Sequence, residues 1–150
     1  SSNFKELPVV ILNTYGNEGQ EVFDKCRYLN CKEFILVTIS NLDWNNDMTP
    51  WFAPKLNKRD VDFLGKADDF ITILMDKIIP QIEAYIKNHL KLEIAYFSIA
   101  GYSLAGLFAV YSSYKTDIFT KIASASGSFW FPKFLDFVKE KNISSNVRKI

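Results

Sequence analysis

The chain has 150 residues and a mass of 17.3 kDa, with 18 lysines and arginines against 17 aspartates and glutamates. A net charge of +1 gives no electrostatic reason to expect binding to nucleic acid or to a membrane surface. With 48% hydrophobic residues and no apolar run long enough to span a bilayer, the composition predicts one globular domain with its own core.

The first part of the chain alternates predicted strands and helices. A continuous apolar run over Pro8–Asn13 predicts a strand that is buried on both faces, and a glycine-containing turn follows over residues 14–19. The spacing of apolar residues predicts a helix over Glu21–Leu29 and a second buried strand over Glu33–Ile39. Residues 40–65 form a long irregular stretch, which is typical of a functional or substrate-facing loop.

A long amphipathic helix is predicted over Ala67–His89, with Asp68 and Asp69 at its positive N-terminal end. Pro80 is expected to kink or split this helix, because it lacks an N–H group. Seven apolar residues at helical spacing are expected to form its buried stripe: Phe70, Ile71, Leu74, Ile78, Ile82, Tyr85 and Ile86.

The alternation continues to the last residue. The predicted elements are a strand over Leu92–Ala100, a helix over Leu104–Tyr114, a strand over Lys121–Ser126, a helix over Pro132–Glu140 and the start of a strand at Val147–Ile150. Strands that alternate with helices indicate a mostly parallel sheet with helices on both faces. The predicted fold class is therefore α/β.

The segment Ile99–Gly106 predicts a strand that turns sharply into a helix around Ser103. A serine at such a corner exposes its hydroxyl, and the N–H groups that follow lie at a helix N-terminus, where they favour negative charge. Gly101 can adopt strained dihedrals at the bend, and the small residues Ala105 and Gly106 allow close packing beneath the serine. This pattern predicts a nucleophile beside donors for an oxyanion; an ordinary turn serine is the alternative.

Four segments together resemble the α/β-hydrolase superfamily, and within it the "Putative esterase" group, which includes enterochelin esterases, S-formylglutathione hydrolases and feruloyl-esterase-like enzymes. The segments are Pro8–Asn13, Asp47–Trp51, Ile99–Gly106 and Ala123–Trp130. The usual pattern is Gly-x-Ser-x-Gly; here Ala105 replaces the last glycine. The resemblance covers about residues 8–150. It implies an α/β-hydrolase fold and a serine esterase that acts through an acyl-enzyme on a small-molecule ester or thioester.

The resemblance also implies roles for single residues. Ser103 would be the catalytic nucleophile, and the backbone N–H of Leu104 would be one oxyanion donor. The second donor would come from the loop after the first strand, where Tyr15 is the first candidate and Gly16 the alternative. A turn that only ends the strand is an equally open interpretation of Tyr15 and Gly16.

Three tryptophans on predicted loops are candidates for the substrate pocket. Trp44, Trp51 and Trp130 would line an acyl or aryl pocket above the sheet. Aromatic residues on loops also commonly seal the edge of a core, so a structural role is the alternative for each of them.

The general base that a serine nucleophile needs is not found at a suitable position. The single histidine, His89, precedes the strand whose far end carries Ser103, so the length of that strand separates them. In the enzymes that the chain resembles, an acid and a histidine follow the serine. We therefore expect residues 1–150 to be one α/β-hydrolase domain that is part of a longer one, with acid and base beyond Ile150. A non-catalytic binding or interaction module on the same scaffold is the alternative.

The remaining chemistry-bearing residues indicate no cofactor and no metal. One histidine and scattered carboxylates do not form a ligand cluster. Cys26 and Cys31 are five residues apart, which would place them on different faces of one helix and argues against a local disulfide. Buried thiols, or thiols without a function, are typical of proteins in a reducing compartment, so a cytoplasmic location is expected. The oligomeric state is left open.

Overall fold

In the computed structural model, residues 3–150 are described, and they contain one sheet of four parallel strands in the order β2-β1-β3-β4. The strands are β1 (Glu6–Asn13), β2 (Ile35–Ile39), β3 (Glu93–Tyr102) and β4 (Phe119–Ala125). β1 pairs with β2 and β3, and β3 also pairs with β4, so β1 and β3 lie at the centre of the sheet. The mostly parallel sheet predicted from the alternation of elements is confirmed.

The helical segments lie between successive strands, and the last of them follows β4. They are α1 (Gly19–Tyr28), α2 (Trp44–Asp47), α3 (Ala67–Ile73), a π-helical segment (Leu74–Ile78), α4 (Ile79–Tyr85), a second π-helical segment (Ile86–Leu90), α5 (Leu104–Lys115) and α6 (Phe134–Glu140). Across residues 3–150, none of these helices is long and apolar enough to cross a membrane.

Helices cover both faces of the sheet, as the sequence predicts. Successive side chains of a strand point to opposite faces, so Thr38 and Val37 of β2 mark the two sides. The start of α1 lies against Thr38, because a Cβ on Gly19 would come within 2.3 Å of the Thr38 side chain. Ile78 and Val37 both pack against the main core, to which α3, α4 and α5 contribute. On this side α3 meets α5, where the Phe70 and Phe108 rings lie 5.3 Å apart.

The helix predicted over Ala67–His89 runs unbroken to Leu90 but contains two π-helical segments. Pro80 follows the first of them and occupies the first turn of α4, where its missing N–H is tolerated. A π segment adds one residue to a turn and rotates the residues after it. Ile79 is therefore buried, whereas Tyr85 is 56% exposed. The prediction that Tyr85 belongs to the core stripe is wrong for this reason.

The long segment 40–65 is irregular apart from α2, as predicted, but it is firmly anchored. Met48 and Thr49 are fully buried, and the Thr49 hydroxyl donates to the carbonyl of Asn45 at 2.7 Å. Ala53 and Phe63 form an isolated antiparallel bridge that closes the loop. The segment is therefore a fixed part of the structure that surrounds the end of the sheet.

The last predicted strand is reduced to a single isolated bridge. Where the sequence predicts the start of a strand at Val147–Ile150, the structure has an isolated parallel bridge between Lys121 and Lys149. The amide of Ile122 donates to the carbonyl of Lys149 at 2.9 Å, so the segment does follow the edge of β4.

A buried hydroxyl joins α5 to the start of α3. The Tyr111 hydroxyl donates to Asp68 at 2.7 Å, and burial followed by this hydrogen bond raises the pKa of Tyr111. We expect Tyr111→Phe to lower the free energy of unfolding by about 1 kcal/mol, because one hydrogen bond is lost without a cavity. Urea unfolding measures this, and Tyr114→Phe on the same helix is the control. An unchanged midpoint for Tyr111→Phe would contradict the expectation.

Candidate active site

The candidate site lies at the carboxyl ends of β1 and β3. In the order β2-β1-β3-β4 these two strands are neighbours, and the chain leaves them towards opposite faces of the sheet. β1 continues into the loop 14–18 and α1, whereas β3 continues directly into α5. Ligands of open parallel sheets bind in the crevice that forms where the strand order reverses in this way.

Ser103 forms a sharp corner between β3 and α5. Its φ of 53° and ψ of −124° are strained for a residue with a side chain, at a cost of about 1–3 kcal/mol. Its N–H donates to the carbonyl of Ala125 at 3.2 Å, and its carbonyl accepts from the amides of Leu107 and Ser128 at 3.1 and 3.0 Å. Ser103 is half-buried.

The corner depends on small residues, although not in the manner expected for Gly101. The left-handed φ belongs to Ser103 itself, while Gly101 has no positive φ. A Cβ on Gly101 would lie 2.3 Å from the carbonyl oxygen of Ala105, so Gly101 is needed for space. A Cβ on Gly106 would lie 2.7 Å from the Ser124 hydroxyl. These two close approaches let the first turn of α5 sit directly against the ends of β3 and β4.

The two predicted oxyanion donors lie on either side of the crevice. Leu104 is the first residue of α5, so no earlier turn of the helix can accept its N–H. The Tyr15 N–H donates to the neutral hydroxyl of Tyr102 at 3.2 Å, and the Gly16 N–H donates to the carboxylate of Glu18 at 2.8 Å. A bond to a neutral acceptor is weaker and more easily exchanged for an oxyanion. This difference favours Tyr15 over Gly16.

Glu18 and Tyr102 form a link that the sequence did not reveal. The Tyr102 hydroxyl donates to the Glu18 carboxylate across 84 residues of chain, and both side chains contact the loop 14–18. The hydrogen bond from Tyr102 lowers the pKa of Glu18, while burial and then this bond raise the pKa of Tyr102. The link ties the loop with the candidate donor Tyr15 to the residue before Ser103.

We expect Glu18→Gln to weaken this link in a pH-dependent manner. A carboxylate with a lowered pKa stabilises the fold above its unfolded pKa, and this stabilisation is lost as the pH falls through its folded pKa. The variant should therefore be less stable than the wild type at neutral pH, and the difference should shrink when the pH is lowered until the carboxylate of the wild type is protonated. Urea unfolding at neutral and at acidic pH measures it. A difference that persists at acidic pH would contradict the expectation.

The three candidate tryptophans occupy different surroundings. Trp44 lies beside the crevice, with its ring 5.4 Å from Tyr15 and 5.6 Å from Tyr102. Trp130 follows β4 and is 56% exposed. Trp51 packs on the core residue Phe131, and its indole N–H donates to the carbonyl of Pro132 at 2.8 Å. Trp44 therefore lies beside the candidate site, and Trp130 is largely exposed to solvent. Trp51 has the contacts of a residue that seals the edge of the core.

Ser128 is a second hydroxyl at the site. It is buried, and its Oγ lies 3.4 Å from the Oγ of Ser103. Ser128 belongs to the segment Ala123–Trp130, but no role is predicted for it from the sequence. The amide of Ser128 donates to the Ser103 carbonyl, so its observed contacts hold the corner in place.

His89 does not approach the site. It lies in the π-helical segment before β3 and stacks on Tyr85, with ring centroids 4.7 Å apart. β3 has ten residues, so His89 and Ser103 are separated by about 30 Å. Within residues 3–150, no group of three or more histidine, cysteine, aspartate or glutamate side chains is arranged to hold a metal ion.

Comparison with known families and sequences identifies relatives over most of the chain. The family model described as "Putative esterase" matches residues 13–149. The uncharacterized protein YbbA of Bacillus subtilis is 26% identical over 119 residues, which are 79% of this chain and 47% of YbbA. The chain therefore spans about half the length of this curated relative.

Solved structures share the fold. An IroE-like serine hydrolase from Shewanella oneidensis superposes with a TM-score of 0.69 at 24% identity, over 91% of this chain and 46% of that protein. The siderophore hydrolase EstA from Aspergillus nidulans gives a TM-score of 0.64 at 20% identity, over 91% of this chain and 50% of that protein. These structures confirm the predicted fold, and the family model confirms the esterase group that the sequence resembles.

Proposed function

Because the chain belongs to the family described as "Putative esterase", we propose that it carries the nucleophile of a serine carboxylic-ester hydrolase. The single observation that supports this most strongly is the strained corner at Ser103, which places a half-buried serine at the N-terminus of α5. The strained backbone conformation of this corner lowers the stability of the fold. It is useful in acyl transfer, because a nucleophile must lie beside oxyanion donors.

The proposed reaction proceeds through an acyl-enzyme. A base removes the proton of the Ser103 hydroxyl while Oγ forms a bond to the ester carbonyl carbon. The carbonyl oxygen becomes an oxyanion, which the N–H groups of Leu104 and Tyr15 stabilise; Tyr15 first releases the hydroxyl of Tyr102. The ester C–O bond then breaks, the proton passes to the leaving alcohol, and water releases the acid in a second step.

The base and its acid partner are proposed to lie beyond residue 150, in the same domain. This part of the proposal is supported by the distance of His89 from Ser103 and by the share of its relatives' length that the chain spans. On this view residues 1–150 supply the nucleophile and the oxyanion donors of one α/β-hydrolase domain.

The substrate class is a small-molecule ester or thioester. The rings of Tyr15, Trp44 and Tyr102 form an aromatic wall beside the crevice, which suits an apolar acyl or aryl group. Trp130, which lies in the loop after β4 and is 56% exposed, is a further candidate contact. The proposal includes a cytoplasmic location, which the two free thiols suit.

Hydrolysis of a short-chain p-nitrophenyl ester tests the function. The whole protein that contains this chain should release p-nitrophenol with saturation kinetics, while residues 1–150 alone should show little or no turnover because they lack a base. Strong activity of residues 1–150 alone would contradict the proposed place of the base. No activity of the whole protein on short-chain esters or thioesters would favour a non-catalytic binding module.

A further inference from the structure

The two cysteines are brought together by the way in which α1 ends. The helix stops at Tyr28, and Asn30 has a left-handed φ of 52°. The amide of Cys31 then donates to the carbonyl of Cys26 at 3.0 Å, and the amide of Asn30 donates to the carbonyl of Arg27 at 3.1 Å. This pair of bonds is the Schellman motif, in which the side chains at the positions of Cys26 and Cys31 commonly touch.

The prediction that Cys26 and Cys31 lie on different faces of one helix is therefore wrong. Cys31 lies beyond the end of α1 and folds back over its last turn. A backbone bond of 3.0 Å between the two residues keeps their Cα atoms within about 7 Å, the upper limit for a disulfide.

The two thiols also differ in accessibility. Cys31 is exposed, whereas Cys26 is half-buried. Both border a cavity of about 420 Å³, together with the apolar side chains of Phe23 and Phe34. Burial, followed by a hydrogen bond with the Cys31 thiol, raises the pKa of Cys26. Cys31 is thus the thiol that a small reagent meets first, and Cys26 lies behind it.

We propose that Cys26 and Cys31 are a redox pair that a hydroperoxide converts into an intramolecular disulfide. The Cys31 thiolate attacks the peroxide, the O–O bond breaks, and Cys31 becomes a sulfenic acid while hydroxide or alkoxide leaves. The Cys26 sulfur then attacks the Cys31 sulfur, the S–O bond breaks, and water leaves. Two thiols are oxidised and one hydroperoxide is reduced, so the electrons balance. The disulfide would cross-link the last turn of α1 to the segment that follows it.

Oxidation of the chain with hydrogen peroxide, followed by alkylation and mass spectrometry, tests the proposal. The expected product is a monomer that has lost two hydrogen atoms, takes up no alkyl group and is restored by dithiothreitol. In Cys26→Ser, a sulfenic acid should be trapped on Cys31 by dimedone; in Cys31→Ser, reaction at Cys26 should be slower by about tenfold or more. Two alkylatable thiols after treatment, or only disulfide-linked dimers, would overturn the proposal.

Variants of Asn30 test whether the conformation of the helix end, and not only the exposure of the thiols, determines the rate of disulfide formation. Asn30→Gly keeps the left-handed conformation and should form the disulfide at the wild-type rate. Asn30→Val disfavours that conformation and should slow disulfide formation several-fold, while alkylation of Cys31 stays as fast. Equal rates of disulfide formation in the two variants would show that the motif does not bring the thiols together.

Discussion

Replacement of Ser103 by alanine in the whole protein should lower kcat/KM for a short-chain p-nitrophenyl ester by a factor on the order of 10⁴ or more. The loss is large because the hydroxyl forms the covalent intermediate, and no other group can accept the acyl chain at the same point. The backbone donors stay in place, so weak residual hydrolysis through bound water is compatible with this result.

Ser128→Ala is the matched control, because its hydroxyl lies 3.4 Å from that of Ser103. This variant should reduce kcat/KM by no more than about tenfold, since Ser128 is assigned no bond to the substrate. Both variants should unfold at nearly the wild-type urea concentration. If Ser128→Ala removed the activity and Ser103→Ala retained it, the nucleophile would be the other hydroxyl.

Substitution of Gly101 by alanine should lower the free energy of unfolding by about 1–3 kcal/mol or more. The added Cβ would lie 2.3 Å from the carbonyl oxygen of Ala105 and 2.7 Å from its Cβ, so either β3 or α5 must move. Because backbone atoms are involved, no side-chain rotation relieves the contact. The Ser103 corner lies between the two elements and should be displaced with them, so activity should fall as well.

Gly16→Ala is the control for this substitution. A Cβ there would lie 3.4 Å from the flexible Glu18 side chain, which is an ordinary contact, and Gly16 has no positive φ. Its stability should change by less than about 0.5 kcal/mol. Urea unfolding of the two variants in parallel gives the comparison. Equal stability of both would contradict the account of how tightly α5 packs against β3.

The sequence predicts the parts of the fold that depend on local patterns. Apolar runs such as that over Pro8–Asn13 identify the strands, and the change from strand to helix spacing around Ser103 identifies the corner. Sheet order and the position of the crevice then follow only from the structure, because they depend on pairing between distant strands.

Features that depend on distant partners or on π-helical segments could not be predicted from the sequence. Glu18 and Tyr102 are 84 residues apart, and neither carries a local signal for the other. The exposure of Tyr85 follows from a π-helical segment that ordinary helical spacing does not anticipate. The contact of Cys26 with Cys31 had a usable signal, because asparagine is one of the residues that tolerate the left-handed conformation at a helix end.

Labelling of the whole protein with a fluorophosphonate probe tests the central claim most directly, because the probe forms a covalent adduct with an activated serine. One adduct is expected, located by peptide mass spectrometry on Ser103 and absent in Ser103→Ala. A folded protein that takes up no probe, or that carries the adduct on any other residue, would contradict the claim that Ser103 is the nucleophile.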